Sequence, residues 1–257
     1  MIHIHKKISV LNIEVDNTDT LSLLQDFRSG CLFTPNIDHF VLLQHHEEFY
    51  RAYRSAEYII MDSQIIYLLW KFIYTPFKER IAGSDFFPKF CEYHRSNEEI
   101  RVFILGGFHP VADQVKVMLN GQAGREIVVG SYSPSPEYQL DSTETGEILA
   151  MITQSRATVL AVALGTPKQE LWINANRRKL PDIQMFMGIG ATLDYMAGIQ
   201  KRAPVWIQRI GMEWCYRLMH NPIRLFSRYL IRDISFFYYL LSASIKKYKN
   251  PFENSQT

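Results

Sequence analysis

Cysteine is scarce in this 257-residue chain: Cys31, Cys91 and Cys215 are too few and too scattered for a disulfide framework or a zinc site, which points to synthesis in a reducing compartment. The eight histidines show no ligand spacing, and adjacent His45 and His46 read as the solvated face of a helix. No Asp-x-Asp pair is present to carry a divalent ion to a diphosphate, so no metal is expected, and any phosphate charge falls to arginines and helix ends. The first strand has no glycine fingerprint. Gly188-Ile189-Gly190-Ala191-Thr192-Leu193 begins like one, but Leu193 stands where a third glycine or alanine belongs and the strand before it is late, so nicotinamide binding is disfavoured and no cofactor is expected. Residues 1–7 are polar, with Lys6 and Lys7 and no apolar run behind them, so no signal peptide is expected and the protein should stay in the cytoplasm. The longest apolar run, 234–245, falls short of the roughly 20 residues a spanning helix needs. There is no internal repeat and no low-complexity segment.

What is present is an ordinary globular composition, 47% hydrophobic, long enough for one large domain or one domain plus an appendage. Apolar stretches at 8–15, 32–33, 58–61, 100–105, 126–129, 158–164 and 183–187 read as strands. Helical patterns lie between them, near 21–28, from 40 past Tyr53 with Asp38 as cap, 64–74 capped by Asp62 or Ser63, 86–95, from His109-Pro110, and 145–154. This alternation predicts an α/β, Rossmann-like, mostly parallel sheet with helices on both faces. From about residue 200 the pattern changes to helical, basic and aromatic, so the predicted division is a catalytic or binding body, 1–200, and an appendage, 201–257. Residues 201–249 carry ten Lys and Arg against Glu213 and Asp233, roughly +8 on a body of roughly −6, which suggests an anionic partner such as membrane, nucleic acid or polyphosphate. Pro222 should start a helix with Arg224, Arg228 and Arg232 on one face, suited to a membrane interface or an anionic ligand, or equally to packing on the body or on another subunit.

Strand carboxyl ends share one rim of a parallel sheet, so Thr34 and Asn36 after one strand and Asp62 after the next can meet in one pocket. Asp62 is the only carboxylate directly ending a predicted inner strand. It can act as a general base or simply cap the following helix. Other strand ends close on Gly106-Gly107, Gly165 and Gly188-Ile189-Gly190. Gly165-Thr166-Pro167-Lys168-Gln169-Glu170 opens a helix and could hold a diphosphate on its free N–H groups; it is equally a self-sufficient capping box of Thr166 and Gln169. Asn36 is either a pocket group or a turn former, and Arg80 lies in a polar loop before a helix, where a surface ion pair is the plain reading.

Thr34-Pro35-Asn36, the Asp62 strand end, Glu79-Arg80-Ile81-Ala82-Gly83, Leu164-Gly165-Thr166-Pro167-Lys168-Gln169-Glu170 and Gly188-Ile189-Gly190 leading to Asp194 occur in the order seen in a known family. So do Lys201-Arg202-Ala203-Pro204-Val205-Trp206 and Gly211-Met212-Glu213-Trp214-Cys215-Tyr216-Arg217-Leu218. Over about residues 8–230 the chain resembles the WecG/TagA/CpsF glycosyltransferases, glycosyltransferase family 26. The resemblance implies an inverting, membrane-associated transferase that moves a sugar, N-acetylmannosamine in the best-known branch, from a UDP donor to a sugar on undecaprenyl diphosphate. The products feed teichoic acid, capsule or exopolysaccharide. It also implies Asp62 as catalytic base, with Thr34, Asn36, Arg80 and Gln169 as pocket partners, Asp194 as a nucleotide contact, and Arg217, Arg224 and Arg228 delivered by an appendage that closes over the site. The implied placement is peripheral, on the inner face of the plasma membrane. Another copy of the chain is a candidate partner; nucleic acid is not an expected one. Family members often have Asp-Gly where this chain has Asp62-Ser63, so the donor or acceptor preference is expected to differ from that branch. The rival expectation is a non-catalytic nucleotide-binding or membrane adaptor of the same fold.

Overall fold

The computed structural model describes residues 6–135, 137–138, 143–220, 222, 226 and 232–253. Its centre is a six-stranded, all-parallel sheet in the order β4-β3-β8-β7-β5-β6. The strands are β3 (Gly30–Phe33), β4 (Tyr58–Ile59), β5 (Val102–Gly106), β6 (Val128–Tyr132), β7 (Val159–Ala163) and β8 (Met185–Gly188). Successive side chains of a strand point to opposite faces, and here both faces are buried. On one face Phe33, Leu160, Val162 and Phe186 pack with Phe40, Phe49, Tyr53 and Trp172. On the other, Leu32, Ala161, Met185 and Met187 pack with Phe86, Phe90, Val115 and Leu119. The two-sided burial explains why these strands read as continuous apolar runs, and it bears out the α/β expectation.

Residues 8–15 form not one strand but an antiparallel hairpin, β1 (Lys7–Val10) and β2 (Ile13–Asp16), turning at Leu11, whose φ is +54°. The hairpin sits at the β4 edge: Asp16 bridges Ile60, and its buried carboxylate accepts from Ile59 N–H at 2.8 Å. Helix α1 (Thr20–Asp26) is capped by Asp19. The helical stretch after β3 is two helices, α2 (Ile37–Leu42) and α3 (Glu47–Arg54), and Asn36, not Asp38, caps the first. Asn36 is extended and accepts from His39 N–H, whereas Asp38 lies inside the first turn. Ser63 rather than Asp62 caps α4 (Gln64–Ile73), which leaves the Asp62 side chain uncommitted to the helix end. Then come α5 (Gly83–Tyr93), α6 (Val111–Ala123), α7 (Thr143–Ser155), α8 (Lys168–Asn176) and α9 (Thr192–Met196). Strand β6 runs on through Gly130 to Tyr132, past the expected end of that strand at 129.

Past residue 200 the described elements are α10 (Val205–Arg209), α11 (Glu213–His220) and α12 (Ile234–Ser244). The apolar side of α12 lies on α2, with Phe236 fully buried and its ring 5.8 Å from that of Phe40. Arg232 pairs there with buried Asp38. Beyond α12 the chain returns over α3: Tyr248 Oη donates to Gln44 Oε1 at 2.7 Å, and Phe252 packs on Tyr50. No helix among the described residues is long and apolar enough to cross a membrane. Arg224 and Arg228 lie outside the described residues, as does most of the expected helix from Pro222.

Candidate active site

Beyond the carboxyl ends of β3 and β4 lies a cavity of about 290 Å³. Body and C-terminal segment build it together: Asn36, Asp62 and Arg80 on one side, Glu213, Trp214, Arg217 and Phe237 on the other. Chain direction places the first set. Buried Ile59 to Met61 carry the chain to the rim, where Asp62 emerges, and Met61 C=O accepts from Ile81 N–H at 2.9 Å, which brings the Arg80 loop alongside. Arg80 Nη1 donates to the Asp62 main-chain carbonyl at 3.3 Å, so the guanidinium stands beside the carboxylate without being consumed by it.

Burial pushes the Asp62 carboxyl up from 3.8 to about 6; the positive charges of Arg80 and Arg217 oppose the rise, and the negative charges of Glu213 and Asp85 add to it. A carboxylate so placed is ionised at neutral pH yet basic enough to take a proton from a hydroxyl in flight. Arg217 pairs with Glu213 one helical turn away and lies 5.3 Å from the Tyr195 ring. Arg202 lies 5.0 Å from the same ring and pairs with Asp85. Tyr195 thus receives two guanidinium groups and fixes where α11 meets α9.

The other expected site residues among those described do not line this cavity. Thr34 is almost buried against the start of α5, where a Cβ on Gly83 would come within 2.9 Å of Thr34 Oγ1. Gln169 is buried: its Nε2 donates to Glu170 Oε1 at 2.8 Å and its Oε1 accepts from Gly190 N–H at 3.0 Å. It therefore clamps the β8–α9 loop, and a side chain at Gly188 would crowd Gln169 Nε2 at 3.1 Å. Gly106 has φ +117° and lies so close to the Ala163 carbonyl that a Cβ would overlap it; Gly107 abuts Leu193. Gly165, with φ +75°, turns the chain from β7 towards α8. The expected capping box there is not formed: Pro167 holds the cap position with no side-chain bond, and Thr166 Oγ1 meets His39 Nε2 at 2.6 Å instead. Asp194 lies half-buried in the first turn of α9.

Two sets of residues escaped the sequence reading. Glu213, Trp214 and Phe237 enter the cavity from a segment whose basic excess hid its acid, although Glu213 was one of only two acids there. Tyr53, His39 and Glu170 form a buried polar group behind the rim. His39 Nδ1 lies 2.6 Å from Tyr53 Oη and 3.8 Å from Glu170 Oε1. Burial lifts the Glu170 carboxyl to about 7, against the Gln169 hydrogen bond that lowers it. The spacing Asn36-x-x-His39, one turn into a helix that begins at the rim, was the available signal. Among the described residues no three His, Cys, Asp or Glu side chains gather as a metal site would need.

A family model described as Glycosyl transferase WecG/TagA/CpsF family matches residues 8–250. Among curated proteins the chain is similar to the N-acetylglucosaminyldiphosphoundecaprenol N-acetyl-beta-D-mannosaminyltransferase of Bacillus spizizenii, 33% identical over 171 residues. That match covers 66% of this chain and 63% of the relative's length.

Proposed function

We propose, on the premise that this chain belongs to the WecG/TagA/CpsF glycosyltransferase family, that it transfers a hexose from a UDP-sugar to a sugar on undecaprenyl diphosphate, with inversion at the transferred anomeric carbon. N-acetylmannosamine or a related hexose is the donor sugar, and the product enters cell-surface polysaccharide or teichoic acid synthesis. The donor assignment rests on the name of the Bacillus relative. The observation that carries the reading is the Asp62 carboxylate in a cavity with Arg80 and Arg217.

Inversion needs one displacement. The acceptor hydroxyl attacks the anomeric carbon opposite the departing diphosphate, Asp62 takes the hydroxyl proton, and the bond to UDP breaks with its electron pair on the phosphate oxygen. A base so placed contributes roughly 10²–10⁴-fold. Arg80 and Arg217 neutralise the charge arriving on the diphosphate. The positive dipole end of α8, after Gly165, lies on the same rim, and Asp194 is assigned to the nucleotide.

The lipid-linked acceptor calls for contact with a membrane surface. Phe72 on α4, Trp206 on α10 and Leu241 on α12 are 77%, 65% and 62% exposed. Gln64 bonds Arg209 C=O at 3.1 Å and Tyr74 bonds Ser244 at 2.8 Å, which ties α4 to both other helices. These exposed apolar residues, with the basic excess of the segment, suit an anionic bilayer. The test is UDP release with a panel of UDP-sugars and a short-chain prenyl-diphosphate-linked N-acetylglucosamine, in EDTA with lipid vesicles, followed by the mass and anomeric configuration of the product. Acceptor-dependent release with inverted configuration is expected. Retention of configuration, or binding of UDP with no transfer to any acceptor, would overturn it.

A further inference from the structure

Behind the rim, Tyr53, His39 and Thr166 form a line of three side chains from the core to the loop before α8. Tyr53 Oη lies 2.6 Å from His39 Nδ1, and His39 Nε2 lies 2.6 Å from Thr166 Oγ1. Tyr53 is fully buried and His39 nearly so, whereas Thr166 is part-exposed at the strand-end cleft. We propose that Tyr53 and His39 are positioning residues whose task is to orient the Thr166 hydroxyl as a hydrogen-bond donor to an anionic oxygen of the bound sugar nucleotide. The inference deepens the transferase reading and rests on it.

The direction of the line follows from counting protons. A phenol has one proton to give, and burial holds that of Tyr53 well above its ordinary value of 10, with the charges of Glu170 and Asp62 adding to the effect. The Tyr53 hydroxyl therefore stays protonated. A buried donor needs an acceptor, and His39 Nδ1 is at hydrogen-bond distance. A neutral imidazole that accepts at one nitrogen donates at the other. Nε2 then carries the hydrogen and gives it to Thr166 Oγ1, so the threonine's own hydrogen cannot point at His39. It is turned towards whatever occupies the cleft. Thr166 stands at the natural cap position before Pro167 but makes no cap bond to α8, which keeps its hydroxyl available to this line.

The opposite direction, Thr166 donating to Nε2 and Nδ1–H donating to Tyr53, would turn the Tyr53 proton away from His39 inside the core. Glu170 lies 3.8 Å from Nδ1, beyond hydrogen-bond reach, and its Oε1 already accepts from Gln169. Glu170 is the carboxylate nearest the ring among the described ion pairs. The result is a donor group of fixed polarity beside the Gly190 loop that Gln169 holds. It would complement a phosphate oxygen and repel a donor with a hydrogen there.

Two readouts test the proposal. The first needs no turnover: ¹⁵N NMR of the imidazole in the ligand-free protein should show His39 as the Nε2–H tautomer, and the Nδ1–H tautomer would overturn the direction of the line. The second is UDP binding and the donor KM in Thr166→Val, Tyr53→Phe and the double variant. Each single variant should weaken UDP and raise KM by about tenfold, as loss of one hydrogen bond to a charged group does, with kcat nearly unchanged. The double variant should be no worse than Thr166→Val alone, because both changes act through one hydroxyl. A merely structural Tyr53 would instead add its own penalty, so multiplicative effects contradict the proposal, as does unchanged UDP affinity in Thr166→Val. If the wild type binds UDP-sugar but makes no product, the transferase reading fails while the binding comparison still decides this one. If it binds no UDP-sugar, both fall.

Discussion

Replacing Asp62 by Asn should stabilise the protein while disabling it. The carboxyl is raised from 3.8 in an ordinary environment to about 6 in the fold, and burial is the chief cause. The folded state therefore holds the Asp62 proton more tightly than the unfolded chain. The stability this group contributes is complete below the unfolded value, near pH 3.8, and is lost as pH rises through about 6. A difference of about two units corresponds to about 3 kcal/mol at neutral pH, an upper bound because Asp62 touches the water of the cavity. Asparagine keeps the shape, is neutral at every pH and escapes that cost. Unfolding of both proteins at pH 3, 6 and 7.5 should show near-equal stability at the lowest pH and a gap that opens to about 1–3 kcal/mol in favour of Asp62→Asn at the highest. For a chain of this size that gap is a rise in Tm of roughly 2–6 °C. Transfer should meanwhile fall by about 10²–10⁴-fold. A variant less stable than wild type at pH 7.5, or a gap that does not change with pH, would refute the reasoning.

The remaining expectations concern the groups around that carboxylate. The rate against pH should show an acid limb near pH 6, since a base must be ionised and Asp62 is half-protonated there; a limb below pH 4.5 would mean a different base. Glu213→Gln should move the limb to lower pH by removing a like charge, and Arg217→Ala should move it to higher pH by removing a stabilising one; pH profiles of both variants check the signs. Phe236→Ala should cost about 3–5 kcal/mol if α12 is an integral layer over α2, measured by denaturant unfolding, and a cost under 1 kcal/mol would show that the helix is only loosely held. Phe72→Ser on α4 should weaken sedimentation with anionic vesicles without changing UDP affinity, and unchanged vesicle binding would remove α4 from the membrane surface.

The sheet was legible because parallel strands covered on both faces must be apolar along their whole length, as β5 and β7 are. The hairpin at 7–16 was not, because Leu11 is an unusual residue for a positive φ and the apolar alternation runs straight across it. Strand-end logic brought Asn36 and Asp62 to one cavity, and the family resemblance added Arg80 to it. It could say which residues reach the rim but not which way they turn: Thr34 packs against the start of α5, and Gln169, expected in the pocket from the resemblance, clamps the β8–α9 loop. Thr166 read equally as ligand group or helix cap, and what draws its hydroxyl from the cap is His39, a partner 127 residues away that no local pattern announces. Phe236 looked like its aromatic neighbours, since nothing near it reveals that Phe40 waits on another helix.

Asp62 is tested as the base by one comparison: sugar transfer to the prenyl-diphosphate-linked acceptor by wild type and by Asp62→Asn, at pH 7.5, with the fold of each verified by its unfolding curve. The prediction is a product of the expected mass from wild type and at least a hundredfold less from the variant, at equal UDP affinity. An Asp62→Asn protein that transfers at the wild-type rate would contradict the assignment of Asp62 as the base.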